Sequence, residues 1–103
     1  MPYEIVLSPE AVEALNRLSA SARTIVRAAL ETHLRHEPAK TSRARIKRLR
    51  GLSQPQFRLR VDEIRVFYDI EEQSVHILAI VAKSDAADWL AEKGQDDETD
   101  STV

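Results

Sequence analysis

Apolar residues recur along this chain with two different periods, and the change of period divides it. A short alternating stretch, Tyr3 to Leu7, predicts a strand. Ser8-Pro9-Glu10 then has the character of a helix start: Ser8 as N-cap, Pro9 at the first helical position, Glu10 against the positive helix end. Val12, Leu15 and Leu18 follow at helical spacing. Ser19-Ala20-Ser21 interrupts, and Ser21 is expected to cap a second helix running to about Glu37. Its apolar side would carry Ala22, Ile25, Val26, Ala29, Leu30, His33 and Leu34, with Pro38 just past its end.

Ala39 to Gly51 is basic and only weakly periodic, with Ile46 and Leu49 available to anchor it. Beyond Gly51 and Pro55 the period becomes two. Phe57, Leu59 and Val61 alternate with Arg58 and Arg60. Ile64, Val66, Tyr68 and Ile70 alternate with Arg65, Phe67 and Asp69. Val75, Ile77, Ala79 and Val81 alternate with His76, Leu78, Ile80 and Ala82. Three consecutive strands with short turns predict an antiparallel meander. Ser84 is expected to cap a last helix through Trp89 and Leu90 to about Lys93, ended by Gly94. The predicted fold class is α+β: a curved, antiparallel sheet of about four strands, an N-terminal helical hairpin on one face and a short C-terminal helix. Residues 1–94 are expected to form one domain, and residues 95–103 a disordered acidic tail.

The strand pattern also fixes a register. If Asp62-Glu63 is a two-residue hairpin loop, Val61 opposes Ile64, Arg60 opposes Arg65 and Arg58 opposes Phe67. Opposed residues project on the same side of a sheet. Arg58, Arg60 and Arg65 then share one face beside Phe67, while Phe57, Leu59, Val61, Val66 and Tyr68 form the apolar face under the helices. Arginines opposed across a ladder repel, so removing Arg65 is expected to leave the fold at least as stable. An anion between the arginines would offset that repulsion, because guanidinium forks match phosphate oxygens. The bland alternative is that they pair with Asp62, Glu63 or Asp69. By the same parity His76 should lie on the arginine side, and Leu78 and Ile80 should form an aliphatic strip on the face away from the helices.

Charge sharpens this picture. The net charge is −2, yet the eight basic residues from Lys40 to Arg60 have no Asp or Glu among them. The four acids after Gly94 supply the balance; without them the rest of the chain is +2. Such segregation points to a polyanionic or acidic partner for the middle of the chain. No cysteine is present, which removes disulfides and thiolate metal sites. No apolar run approaches the ~18 residues of a membrane span, and residues 1–7 lack the basic and apolar regions of a signal peptide, so a cytoplasmic protein is expected. The three histidines, His33, His36 and His76, are too scattered to suggest a metal site, and no Gly-rich phosphate loop or Ser-His-Asp arrangement is present.

Four segments carry a resemblance to a known family. They are Arg48-Leu49-Arg50-Gly51, Phe57-Arg58-Leu59-Arg60-Val61, Ile64-Arg65-Val66-Phe67-Tyr68-Asp69-Ile70 and Val75-His76-Ile77-Leu78-Ala79-Ile80. Together they resemble the RelE/ParE toxin superfamily, on its RelE side. The resemblance spans residues 3 to 93. It implies the toxin of a type II toxin–antitoxin pair, acting on mRNA at the ribosomal A site without a metal or other cofactor. In that chemistry the ribose 2′-hydroxyl attacks the adjacent phosphate and leaves a 2′,3′-cyclic phosphate and a 5′-hydroxyl. By motif, Arg58 and Arg60 match the family's two basic residues on the strand after the Arg-Gly turn, and Arg65 is the expected phosphate and transition-state clamp; these three and Lys83, which keeps a positive charge at the end of the sheet, are the catalytic residues the resemblance implies. Arg43, Arg45, Lys47, Arg48 and Arg50 are expected to bind RNA, with Phe67 and Trp89 as stacking rings. Implied partners are a cognate antitoxin, mRNA on the ribosome and, with the antitoxin, operator DNA; no membrane is implied.

The chain departs from the RelE pattern where Ser84 stands about where an arginine is expected, and where Ala87 and Trp89 flank the position of the usual tyrosine. Indole donates a hydrogen bond but cannot shuttle a proton. Two other readings therefore stay open: a ParE-like inhibitor of DNA gyrase, and a catalytically degenerate antitoxin-binding module.

Overall fold

The computed structural model describes residues 1–96. Its centre is a five-stranded mixed sheet built from β1 (Glu4–Leu7), β2 (Ile46–Arg48), β4 (Phe57–Val61), β5 (Ile64–Glu71) and β6 (Ser74–Ala82), in the order β1-β6-β5-β4-β2. From β2 through β4 and β5 to β6 each pair is antiparallel. The edge strand β1 pairs parallel to β6, with Ile5 beside Val75 and Leu7 beside Ile77. The fold class is α+β as expected, but the sheet has one more strand and one parallel pair. The extra strand is β2, hidden inside the basic segment because only Ile46 of its three residues is apolar.

Two helices cover one face. α1 (Pro9–Arg17) starts where the sequence says it should: the Ser8 hydroxyl accepts the Ala11 N–H at 3.0 Å. α2 (Ala20–Leu34) is capped by Ser19 rather than Ser21, whose place lies inside the helix, and it stops at Leu34, short of Glu37. Ala11 and Leu15 of α1 and Val26, Leu30 and Leu34 of α2 pack over Ile46, Phe57, Leu59, Val61, Val66, Tyr68, Val75, Ile77 and Ile80. Val12 and Ile25, expected inside, are 43% and 48% exposed. Tyr68 is a core residue whose hydroxyl donates to the Pro38 carbonyl at 2.6 Å, and burial pushes its pKa well above the phenol range.

Both strand hairpins turn on two residues, Asp62-Glu63 and Glu72-Gln73, and each first residue is left-handed (Asp62 φ 53°, Glu72 φ 56°). One bulge interrupts β6. Phe67 pairs with Ala79 but the next residue, Tyr68, pairs with Ile77, so Leu78 is the extra residue. This corrects the expected aliphatic strip. Beyond the bulge the alternation is inverted: Ile80 turns into the core against Val66, and Ala79 and Val81 face the other side. Leu78 itself is half-buried, its carbonyl accepting the Ser8 hydroxyl at 3.0 Å.

On the opposite face lies α3 (Ala86–Lys93), entered through one turn of 3-10 helix at Lys83–Asp85. Neither Ser84 nor any other side chain caps it. Gly94 ends it, and a Cβ there would come within 2.6 Å of the Leu90 carbonyl oxygen. A second, two-stranded sheet joins β3 (Leu52–Gln54) to β7 (Gln95–Asp96). Gln95 and Asp96, expected in the tail, are thus paired strand residues; the rest of the expected tail lies outside the described residues. Among the described residues no helix is long and apolar enough to cross a membrane.

Candidate nucleic-acid interface

The β4–β5 register is the one the sequence predicts: Phe57–Tyr68, Arg58–Phe67, Leu59–Val66, Arg60–Arg65 and Val61–Ile64. Arg58, Arg60 and Arg65 therefore share the face away from the helical hairpin. Lys47 opposes Arg58 from β2 and joins them, so four cations occupy three adjacent strands about 4.8 Å apart.

The acids expected to neutralise them are engaged elsewhere or merely exposed. Among the described residues, none of the four cations forms an ion pair. Asp69 accepts the Gln56 backbone N–H at 2.8 Å and the Gln54 side-chain amide at 2.7 Å. Arg65 is only 8% exposed and directs Nη1 at two backbone carbonyls, Asp62 at 2.8 Å and Ile64 at 3.0 Å. Arg65 thus belongs to the hairpin's own framework, and the expectation that its loss leaves the fold unharmed does not survive. Arg58 is the strained member. Its Nε is buried without a hydrogen-bond partner. Burial, then Arg65, then Arg60 hold its pKa below the ordinary guanidinium value. A guanidinium stays protonated at neutral pH regardless, so the group is a partly desolvated charge.

The remaining expected contacts divide. Arg48 opposes Phe57 and so projects on the helical face, its guanidinium 5.2 Å from the Phe57 ring centroid and its Nη1 donating to the Gln56 carbonyl. It is not part of the arginine face. Arg45 donates to the Arg60 carbonyl at 3.2 Å and lines a cleft with His33, His36 and Lys40, at the rim of the sheet. Arg43 and Arg50 are exposed in the bends flanking β2 and are not brought to the cluster. Lys83 is exposed in the 3-10 turn, and its backbone N–H donates to the Glu63 carbonyl at 2.7 Å, tying the sheet's end to the hairpin loop.

Phe67 is not an open stacking platform. It is 1% exposed beneath Trp89 of α3, their rings stacked at 5.0 Å and 4°. Trp89, half-buried, keeps the role of outer ring, with Phe67 as its support. His76 does lie on the arginine side, opposite Asp69, with Nε2 3.4 Å from the Glu71 carboxylate. It stands four residues along the sheet from the Arg65 row, roughly 13 Å away.

No protein-family model matches the sequence, and no curated protein gives a significant match. Solved structures do. A double arginine-to-alanine mutant of Escherichia coli toxin RelE in the free state aligns with TM-score 0.66 and 18% identity, covering 89% of this chain and 94% of that one. A RelE–RelB complex from the archaeon Pyrococcus horikoshii gives 0.61 and 22%, covering 81% and 97%. The fold is that of the RelE-like toxins. A toxin–antitoxin complex, RelBE2 of Mycobacterium tuberculosis, gives 0.57 and 23% and covers 80% and 99%. This RelE-like chain thus spans nearly the whole length of each neighbour.

What sequence reasoning missed is the polar cleft at the other end of the same face. Gln54, Gln56, Asp69, Glu71, His76 and Leu78 line it, with a volume of about 310 Å³. The signal available was thin: two glutamines flanking Pro55, with Asp69 on the strand that the register places nearby.

Proposed function

We propose that this RelE-like protein is the toxin of a toxin–antitoxin pair, held in check by an acidic or amphipathic antitoxin, and that it inhibits translation in the cytoplasm by cleaving ribosome-bound mRNA. The observation that carries the reading is the cluster of Lys47, Arg58, Arg60 and Arg65, none of which is ion-paired among the described residues. Folding gains nothing from opposed arginines, so a bound anion is their natural complement. RNA phosphate suits guanidinium geometry. Three of the solved neighbours bear the RelE name, two of them with an antitoxin in the crystal.

In this mechanism the ribose 2′-hydroxyl gives up its proton to a base or to water as its oxygen attacks phosphorus, the bond to the 5′-oxygen breaks, and that oxygen takes up a proton, so that the products are a 2′,3′-cyclic phosphate and a 5′-hydroxyl. Arg58 and Arg65 hold the non-bridging oxygens and stabilise the added negative charge in the transition state. Removing one such donor typically costs ~10²–10³ in rate.

A second reading has its own observation. Among the described residues no imidazole or phenol stands beside the cluster: Tyr68 is sealed in the core, His76 lies four residues along the sheet from the Arg65 row, and Trp89 cannot exchange a proton. That favours a module that binds RNA or antitoxin without cutting. Induction in cells followed by mapping of RNA 5′ ends separates the two. New ends within translated codons support cleavage. Growth arrest with intact mRNA, or no arrest at all, overturns it.

A further inference from the structure

A second gathering of basic groups lies at the rim of the sheet, between the end of α2 and β2. His33, His36, Lys40 and Arg45 line one cleft of about 290 Å³, with Glu37 as its acid. Glu37 is drawn to Lys40, 3.7 Å away, in an exposed pair that adds little to stability. Glu31, the acid that acts on His36 from α2, is bound through both oxygens to Arg35. Among the described residues His33, His36 and Arg45 form no ion pair, and neither imidazole has a hydrogen-bond partner.

The turn that presents Arg45 is held at several points. Ser42 Oγ accepts the Arg45 N–H at 3.1 Å and the Ile46 N–H at 3.4 Å, and the Ser42 N–H donates to the Ile46 carbonyl at 2.9 Å. Arg45 is then bonded to Arg60 in both directions. The Arg60 N–H donates to the Arg45 carbonyl at 2.9 Å, and Arg45 Nη1 donates to the Arg60 carbonyl at 3.2 Å. The β2–β4 pairing thus continues one residue beyond Ile46, and Arg45, Arg60 and Arg65 form a single row across the sheet. Strands about 4.8 Å apart put the two ends of that row roughly 10 Å from each other. The same Arg45 guanidinium acts on His33, where after burial it is the second cause of the lowered pKa. One arginine therefore links the arginine face to the cleft.

The lining selects the ligand. Every lining side chain but Ile46 is polar, and Ile46 is already buried in the core, so an amphipathic peptide finds little aliphatic surface to cover. A guanidinium fork, an ammonium, two imidazoles and the hydroxyls of Thr41 and Ser42 suit phosphate oxygens. We propose that His33, His36, Lys40 and Arg45 form a second phosphate site, which takes a backbone phosphate of the RNA strand lying on Arg58, Arg60 and Arg65. The proposal rests on the RNA reading above and adds to it the place where the strand leaves the sheet. A phosphate in the cleft favours charged imidazoles over neutral ones. Bound RNA therefore raises the pKa of both rings, and by reciprocity binding tightens as pH falls through the histidine range. Glu31 and Glu37 are the acids that face these rings, and Lys40 and Arg45 are the cations.

The test uses the full chain and three probes: inorganic phosphate, a short oligouridylate and a short polyglutamate. The ring resonances of His33 and His36 and the amides of Arg58 and Arg65 report on the two sites. Oligouridylate should move both sets, raise both histidine titration midpoints, and bind roughly three- to tenfold tighter at pH 6 than at pH 7.5. His33→Gln should flatten that pH dependence. Arg45→Gln, at an exposed position, should weaken binding several-fold and lower the slope of log affinity against log salt by about 0.7, the loss of one single-strand phosphate contact. Oligouridylate that shifts Arg58 and Arg65 but neither histidine, or an unchanged salt slope in Arg45→Gln, overturns the second site and leaves the RNA reading standing. Histidine shifts with inorganic phosphate or polyglutamate but not with the oligonucleotide assign the cleft to a free anion or an acidic protein, and overturn the proposal equally. No response of Arg58 or Arg65 to oligouridylate overturns the RNA reading itself.

Discussion

Arg60 of β4 and Arg65 of β5 stand directly opposite each other across the hairpin ladder, and among the described residues neither forms an ion pair. Like charges in that relation destabilise a sheet. The two are not equivalent, since Arg65 is buried against the Asp62 and Ile64 carbonyls and Arg60 is exposed. Their neighbour Arg58 feels both charges, and its Nε is buried without a hydrogen-bond partner among the described residues.

Arg58→Met should consequently stabilise the protein while weakening its function. Methionine keeps the length of the side chain and removes the uncompensated charge. We expect a gain of about 0.5–1 kcal/mol, a few degrees in melting temperature, together with roughly tenfold weaker binding to single-stranded RNA at low salt. Thermal melts and a salt-dependent binding titration check this. A less stable variant with unchanged RNA affinity would show that Arg58 is a structural residue.

Arg65→Ala should behave differently. It loses two hydrogen bonds from a charged donor to the hairpin carbonyls, only part of which the relief of repulsion offsets. A net loss of about 1–2 kcal/mol is expected, and with it the phosphate clamp. Comparing urea unfolding of the two variants decides the point, since opposite signs of the stability change are required.

Trp89→Ala should uncover Phe67 and loosen α3. The helix has no side-chain cap and none of its residues is fully buried, so the Trp89–Phe67 stack is a main attachment. A loss of about 2–3 kcal/mol is expected, smaller than for a fully buried tryptophan. Hydrogen exchange at residues 86–93 should accelerate while β4 and β5 stay protected. Unchanged exchange in α3 would mean that the β3–β7 pairing alone holds it.

Stability should fall in mild acid through His33. Burial first, then the Arg45 guanidinium, hold its pKa below the ordinary 6.5. The folded state therefore favours the neutral ring. The contribution of His33 is fully present above the ordinary value and is lost as pH falls through 6.5 towards the folded value. His36, Glu37, Lys40 and Arg45 line the same cleft, so the added charge meets mostly like charge. His33→Gln should flatten the dependence of melting temperature on pH between about 7.5 and 5. An identical slope in parent and variant would exclude His33 as its source.

The β4–β5 hairpin was legible because alternation and a two-residue loop leave a single register, and that register brought Arg58, Arg60 and Arg65 together. The start of α1 was legible because Ser8 and Pro9 have few other uses in that order. Other features were not. Ile46-Lys47-Arg48 shows too little alternation to declare a strand, which concealed that Lys47 and Arg48 project to opposite faces. A bulge leaves no mark on composition, so the fate of Ile80 was invisible. Phe67 and Trp89 are 22 positions apart in sequence, and only the docking of α3 turns two expected stacking rings into one stacked pair. The glutamine amides of the cleft acquire direction only from their partners, Asp69 and the Ile70 N–H.

The bulge at Leu78 acts as a phase shift in β6, and it decides how much room lies above the cations. Because of it, the small Ala79 sits opposite Phe67 and Val81 opposite Arg65, while the bulkier Ile80 is sent to the core. A regular strand would set isoleucine and leucine under α3 and lift Trp89 from its ring. Side-chain volume at positions 79 and 81 is thus a control on how closely α3 and Trp89 settle on the sheet. Ala79→Leu would crowd Phe67 and lift Trp89 without changing a single charged group.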